Sequence, residues 1–425
     1  MNQDKIELLA PAGDTEKLKT AIHFGADAVY FAGKQFGLRA FAKNFEDLSE
    51  PIAYAHLHGK KAYVTVNIYA RNYDLDALKS YFLEIEKAGA DGVIISDLGV
   101  MQTCLTTTPS LEIHVSTQAN TTNLMSALAY AEKFNAKRVV LARELSLKEV
   151  KEISDGLKKV GVETEIFVHG AMCISYSGRC LLSNYLTGRD SNRGACVQAC
   201  RFAYSLVEAD ADNNVYSAMR KDEHYPIAED ERGTYILNSK DMCLITHLDK
   251  VLSTGVKSLK IEGRMKSPYY LATVINAYRR KIDELLSGKK DKTIDGKYLE
   301  EVCKSSHREF TTGFLIDDNA VRQSTLTTHQ TQDSEFLGVV KGVCDENGKT
   351  LVTIEMRNRF KVGDTVEFLS PTAIHNSRAE IKKMTNLKGE DVTDAKRVQE
   401  ILQVEFDASP SALKLLQEGD IIRTC

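Results

Sequence analysis

The chain predicts an α/β fold: a TIM-like (β/α) barrel followed by a small, β-barrel-like C-terminal domain. Three observations carry this. Short β-branched or apolar runs alternate with helix-period stretches through about residue 288. The runs are continuously apolar rather than alternating, as parallel strands covered on both faces require. From Phe336 onward the pattern changes to short strands separated by turn signals. The rival for the first part is a doubly wound open sheet. No G-x-G-x-x-G follows the first strand, which weakens its dinucleotide-binding version.

Taken in order, strand-like runs occupy 6–9, 27–32, 62–68, 92–96, 111–115, 138–142, 164–169, 235–239 and 257–261. The first covers or begins the barrel, which leaves about eight strands for the wall. A Gly-Ala-Asp turn feeds a buried run twice, at 25–33 and 89–97. Between the runs lie helices with start signals. Asp14 caps a helix from Thr15 to about His23, and Asp74 is an acceptable cap before Leu75, Leu78, Phe82 and Ile85. Ser146 and Glu149 form a capping box, and Ser267-Pro268 opens a helix reaching about Leu286.

The organisation that follows is a barrel over 1–288, a connecting segment over 289–332 and a small β-rich domain over 333–425. Residues 206–234 are highly charged and apolar-poor, an exposed, hairpin-like excursion from the barrel. In the last domain FLGVVKGV, TLVTIEM, DTVEFLS and GDIIRTC read as strands. That module is either a stabilising cap or a grip on a macromolecular substrate.

At 425 residues, with 43% hydrophobic and 27% charged residues, the chain is an ordinary soluble globular sequence. No segment approaches the ~18 consecutive apolar residues of a membrane span. The N-terminus MNQDKIELLAPAGD lacks a basic region and a long apolar core, so no signal peptide is expected and the cytoplasm is the predicted location. A net charge of -4 argues against holding nucleic acid by bulk charge, yet leaves room for a local basic patch.

Cysteine placement is the strongest chemical signal. Cys173, Cys180, Cys196 and Cys200 fall within one stretch, Glu165 to Arg201, and Cys243 follows the next apolar run. In a reducing compartment such crowding means a metal site rather than disulfides. Cys196 and Cys200 nearly fit a zinc pair, whereas Cys173 and Cys180 are too widely spaced for a zinc turn. An iron–sulfur cluster tolerates looser spacing because it is larger than an ion, so it is favoured and zinc is second choice. Four of the five thiols suffice, with Cys196 and Cys200 the ambiguous pair. Cys104, Cys303, Cys344 and Cys425 read as packed core residues.

In an α/β barrel the working residues sit at the C-terminal ends of the strands. Asn67, Asp97, His114, Arg143, His169, Asp241 and Glu262 lie at or past such ends, as do Arg264 and Lys266. Arg264 and Lys266 are candidates for an anionic ligand, with an ion pair to Glu262 or Asp241 as the plain alternative. His114 and His169 read as packed barrel residues. Arg179, Arg189, Arg193 and Arg201 make the cysteine stretch locally basic, and Tyr176, Tyr185 and Phe202 are candidates to stack a base or to pack.

The run E-x-F-x-x-G-A-M-C-x-x-x-x-G-x-C-x-L-S, carried by Glu165, Phe167, Gly170 to Cys173, Gly178, Cys180, Leu182 and Ser183, resembles the signature of the collagenase-like peptidase family U32. The stretches NRGACVQACR, LNSKDMC, KIEGRMKSPYY and REFTTGFL resemble that family too, so the likeness spans essentially the whole chain. It implies an iron–sulfur protein of oxygen-independent hydroxylation, most like the branch that converts the wobble uridine of tRNA to 5-hydroxyuridine, with prephenate as hydroxyl source. By motif position it implies ligands at Cys173, Cys180, Cys196 or Cys200, and Cys243 of a cluster, four-iron four-sulfur in type. It also implies tRNA and a paralogous protein as partners, and Arg264, Lys266 and Glu262, read above from their place after the last strand, are then the candidate substrate contacts. The alternatives are a peptidase and a non-catalytic iron–sulfur partner of another RNA or quinone-precursor hydroxylase. Neither H-E-x-x-H nor G-x-S-x-G occurs, which counts against the peptidase.

Overall fold

The computed structural model describes residues 6–37, 43–173, 175–201, 205–210, 215–220, 223–226, 229–230, 233–234, 240–288, 295–316, 330–346 and 349–425. Strands β1 (Glu7–Pro11), β2 (Ala28–Phe31), β3 (Lys61–Val66), β4 (Gly92–Ile95), β5 (Ile113–Val115), β6 (Arg138–Val140) and β7 (Glu163–Ala171) form a parallel sheet in chain order. The excursion carries β8 (Ser205–Asp210), β9 (Val215–Arg220) and β10 (Glu223–Pro226) as one antiparallel sheet, with β11 (Glu229–Asp230) and β12 (Gly233–Thr234) paired beside it. Then come β13 (Asp241–Cys243) and β14 (Ser258–Ile261). β14 is parallel to both β7 and β1 and closes an eight-stranded barrel. The first apolar run therefore begins the barrel wall.

One expected strand has a different place. The run at 235–239 lies outside the described residues, and β13, which follows it, is antiparallel to β7, with Cys243 opposite His169. It is an added strand rather than a barrel stave, and Cys243 ends it, level with His169 near the C-terminal end of β7.

Outside the barrel lie α1 (Thr15–His23), α2 (Ser49–Leu57), α3 (Leu75–Ala88), α4 (Leu98–Thr107), α5 (Leu124–Phe134) and α6 (Leu147–Lys158). After them come the short α7 (Leu182–Thr187) and α8 (Leu248–Leu252), then α9 (Pro268–Leu286) and α10 (Asp295–Cys303). The Asp14, Ser146 and Ser267 caps accept backbone N–H groups as their sequence signals require. Asp97, expected at a strand end, is in fact the cap of α4, accepting from the Val100 N–H at 3.0 Å. None of the helices among the described residues is long and apolar enough to cross a membrane.

The barrel interior holds a small apolar cluster of Leu9, Ala28, Tyr30, Tyr63 and Ile94. At its N-terminal end the filling is ionic. Glu165 is fully buried; its carboxylate accepts from Lys260 Nζ at 2.8 Å and from Arg138 Nη1 at 3.1 Å. Arg138 also binds Glu7 and Glu163, and Tyr63 and Ser258 donate to Glu7 at 3.0 Å. His114 lies in this layer, 2% exposed and with its ring 4.6 Å from that of Tyr63, not at the mouth. Burial pushes the His114 imidazolium below its usual range. Burial alone would raise the Glu165 carboxyl, but Lys260 and Arg138 override it and hold it down at about 2. Burial draws the Lys260 ammonium downward even beside Glu165. The pair is ionised as a unit, because neutralising one partner would strand the other away from water.

The C-terminal domain is a second, closed antiparallel barrel. After β15 (Phe310–Thr311), which pairs with β13, come β16 (Phe336–Glu346), β17 (Lys349–Met356), β18 (Phe360–Lys361) and β19 (Thr365–Leu369). β20 (Arg378–Asn386), β21 (Asp394–Ala395), β22 (Ile401–Phe406) and β23 (Ile421–Thr424) complete it. The closed order is β16-β17-β22-β20-β19-β23 around a core of its own, with β18 and β21 paired outside it.

Glu165→Gln should lower stability in urea at neutral pH by about 3–5 kcal/mol, since it strands Lys260. A depressed carboxyl stabilises the fold above its ordinary value of 4.5 and ceases to do so as pH falls toward about 2. The wild-type chain should therefore lose stability across that window more steeply than the variant.

Candidate functional site

β7 ends in the segment that carries four cysteines. Two glycines make its exit possible. Gly170 has φ +112°, and a Cβ there would lie 2.7 Å from the Glu262 carbonyl oxygen. Gly178 has φ +78°, and a Cβ there would lie 2.5 Å from Tyr69 Oη and 2.6 Å from the Gln118 carbonyl oxygen. Only glycine combines these backbone angles with so close an approach.

The segment folds back on itself by side-chain-to-backbone bonds. Ser183 Oγ donates to the Arg189 carbonyl at 2.7 Å and accepts from the Val197 N–H at 3.1 Å. Ser191 Oγ and Asn192 Nδ2 both donate to the Cys180 carbonyl, at 2.7 and 3.1 Å. Arginines fasten it to the barrel mouth. Arg143, past β6, donates to the Ala171 carbonyl at 3.0 Å and to Ser177 Oγ at 2.6 Å. Arg193 donates to the Tyr69 carbonyl at 2.9 Å and grips both oxygens of Asp74, at 2.8 and 3.2 Å. The Arg193 hydrogen bond holds the Asp74 carboxyl below its usual range, and Asp74 raises Arg193 in turn. Asp74 accordingly makes no side-chain cap for α3, the role its sequence position suggested.

The thiols divide into two environments. Cys173 is exposed, while Cys180, Cys196 and Cys200 are half-buried on the loop. The Gln198 N–H donates to Cys196 Sγ at 3.3 Å, with Gln198 in the left-handed region at φ 59°. Cys243 is buried, its sulfur 4.0 Å from Tyr278 Oη, and burial pushes its thiol up to about 12. None of the nine cysteines is in a disulfide. Among the described residues no three His, Cys, Asp or Glu side chains are gathered closely enough to hold a single metal ion. The loop thiols with Cys243, five in all, make a donor set that suits a group larger than an ion. Of the other thiols Cys104 is buried in the core, whereas Cys344 and Cys425 are exposed rather than packed.

Arg264 is buried, donating to Thr65 Oγ1 at 3.2 Å and Asn44 Oδ1 at 2.6 Å. Lys266 Nζ donates to the Ser306 carbonyl at 3.0 Å and lies 5.1 Å from the Tyr270 ring centre. The Glu262 carbonyl accepts from Tyr270 Oη at 3.1 Å, and Asp241 pairs with Arg308. His169 is enclosed by Tyr270, Tyr278 and Phe310, and burial pushes it down to about 3, so it is neutral. Arg179 and Arg189 are exposed on the loop. The side chains of Tyr185, Arg201 and Phe202 lie outside the described residues.

Against this geometry stand the comparisons with known proteins. The family model for "Peptidase family U32" matches residues 13–325, and that for "Peptidase family U32 C-terminal domain" matches 332–423. The chain belongs to peptidase family U32. Among its U32 relatives, "tRNA hydroxylation protein P1" of Bacillus subtilis is 39% identical over 98% of this chain and 95% of its own. "tRNA hydroxylation protein P" of Escherichia coli is 36% identical, covering 91% and 90%. "Collagenase" of Porphyromonas gingivalis is 34% identical, covering 74% and 75%.

Sequence reasoning missed the Asp74–Arg193 clamp, because the two lie far apart in the chain; only the surplus of arginine in the cysteine stretch hinted at it. Asp74→Ala should free the loop without unfolding the barrel. Trypsin should then cut after Arg179 and Arg189 several-fold faster at an unchanged melting temperature, in the chain as purified without iron.

Proposed function

We propose that this U32 protein is an RNA-modifying enzyme that hydroxylates the wobble uridine of tRNA to 5-hydroxyuridine without molecular oxygen. The observation that carries this is the four-thiol loop clamped over the C-terminal mouth of a (β/α) barrel, where substrates of this fold react. The near full-length likeness to two proteins named for tRNA hydroxylation supports the substrate.

Cys173, Cys180, Cys243 and one of Cys196 and Cys200 would hold a four-iron four-sulfur cluster, which supplies one-electron chemistry in the absence of oxygen. Zinc is the lesser alternative for the same thiols. Cys196 and Cys200 are the ambiguous pair, and Cys243 lies opposite His169 near the C-terminal end of β7. Replacing C5–H by C5–OH takes in one oxygen atom and gives up two electrons. The reaction therefore needs an oxygen source, proposed as prephenate, and an electron acceptor such as a one-electron carrier protein. Arg264 and Lys266, past the last barrel strand, are the cations that would meet the carboxylates of prephenate, with Glu262 beside them. Action in the cytoplasm on tRNA, with or without a paralogous partner, completes the reading.

A peptidase is the second reading, favoured by the relative named for collagenase. A cysteine nucleophile would need His169 as its base. That ring is 1% exposed and boxed by aromatic side chains, so it is badly placed to take a proton from Cys173.

Deleting the gene should reduce 5-hydroxyuridine and its derivatives in digested tRNA to background; unchanged levels would refute the proposal. Purified anaerobically, the protein should be coloured and contain iron and sulfide. Alanine at Cys173, Cys180 or Cys243 should each remove most of the iron, as should alanine at one, but not the other, of Cys196 and Cys200. Full iron in Cys173→Ala overturns the ligand set, and a colourless, gelatin-cleaving preparation favours the peptidase.

A further inference from the structure

Tyr278, on α9, is wholly buried and packs in the apolar core, yet it carries a hydroxyl to the seam between β7 and β13. Its Oη donates to the Val168 carbonyl at 2.8 Å and accepts from the Leu244 N–H at 3.1 Å. The backbone does not need this help. The Leu244 N–H also reaches the Val168 carbonyl directly, at 3.0 Å, so β7 and β13 are joined without the hydroxyl. Phenylalanine would fill the same space with no polar atom to satisfy.

What the hydroxyl adds is its third neighbour, the Cys243 sulfur, 4.0 Å away. Among the described residues Tyr278 is the one side chain hydrogen-bonded to that sulfur. A neutral thiol asks little of a hydroxyl, because it is a weak donor and a weak acceptor. A thiolate ligand asks more: it carries charge, and an O–H directed at it makes a charge-assisted bond. Tyr278 can supply that bond with no change of backbone. Rotation about Cζ–Oη carries the hydrogen from Val168 to the sulfur, and the Val168 carbonyl keeps the Leu244 N–H.

We infer that the Tyr278 hydroxyl donates to the Cys243 sulfur when that sulfur holds the cluster, and thereby raises the cluster's reduction potential. The inference rests on the iron–sulfur reading above, with Cys243 among the ligands. Tyr278 is then a positioning residue that touches no substrate and acts through Cys243. A hydrogen bond to a ligand sulfur offsets negative charge, which favours the reduced form of a cluster.

The test uses the full chain, purified anaerobically with its cluster. It reads the midpoint potential by redox titration, beside iron per chain and the melting temperature. Tyr278→Phe keeps the ring and removes only the hydroxyl. It should retain the wild-type iron and lower the midpoint by about 59 mV, a tenfold change in the ratio of reduced to oxidised cluster. Placing 3-fluorotyrosine at position 278, with a more acidic hydroxyl and so a stronger donor, should raise the midpoint instead. Tyr269→Phe removes a hydroxyl of the same helix that bonds the Lys304 carbonyl, and should leave the midpoint unchanged. An unshifted midpoint in Tyr278→Phe overturns the inference and leaves the cluster standing. Loss of the iron from that variant overturns it too, since the hydroxyl would then be a scaffold for the sulfur. A wild-type preparation without iron and sulfide overturns both this inference and the reading beneath it.

Discussion

A carboxylate with no access to water sits near the axis of the barrel, and the placement of the cysteine loop depends on it. Glu165 and the loop share β7, so whatever fixes the register of Glu165 fixes where Cys173 leaves the wall. The fixing groups come from both neighbours: Arg138 begins β6 and Lys260 belongs to β14. A one-residue slip would turn these charges toward the helices and strand them there. Such a network is no economical source of stability, since desolvating the charges offsets most of their attraction. Its value is the single arrangement it permits. Beyond it β7 bends at the Lys260/Ile261 irregularity and at Gly170, and the chain turns out over the mouth.

A second buried charge does the same for the small barrel. Arg423 is fully enclosed and pairs with Glu301 on α10 and Glu367 on β19, with Asn376 accepting a further bond. Lys304 joins both carboxylates. Around this centre lie the stacked rings of Tyr269 and Phe336, the His23–Asp420 contact at 2.7 Å, and Arg280 on the carbonyls of Ser370 and Thr372. The C-terminal domain is thereby seated on α1, α9 and α10. Tyr269 opens the helix that follows the last barrel strand, so the start of β16 lies toward the rim that carries the cysteines.

Much of this was legible from the residues. The staves are apolar runs with turn signals, which local composition alone reveals, and three helix caps match their side-chain chemistry. The ionic layer also left a trace: Glu7, Arg138, Glu165 and Lys260 are lone charges inside otherwise buried strands, with signs that balance in opposite pairs. What escaped depends on pairing between distant segments. Nothing local makes β13 antiparallel, so the stretch before Cys243 read as one more stave in line with the others. Asp74 has the chemistry of a cap, but its carboxylate takes the Arg71 N–H and the guanidinium of Arg193, brought in from the loop. His114 follows a strand's apolar run but falls within the stave once β5 is paired. β20 and β22 interleave buried positions with half-buried or exposed ones, and polar residues at the latter broke the apolar runs by which strands were sought.

The two thiol environments bear directly on the chemistry. Burial keeps the Cys243 thiol protonated until a metal takes the proton's place. The loop thiols have access to water, an N–H points at Cys196, and Arg179, Arg189 and Arg193 lie on the same segment. A segment that carries both thiols and exposed arginines can hold a cluster and meet a polyanion at one mouth of the barrel, so the two kinds of side chain need not compete for the same place.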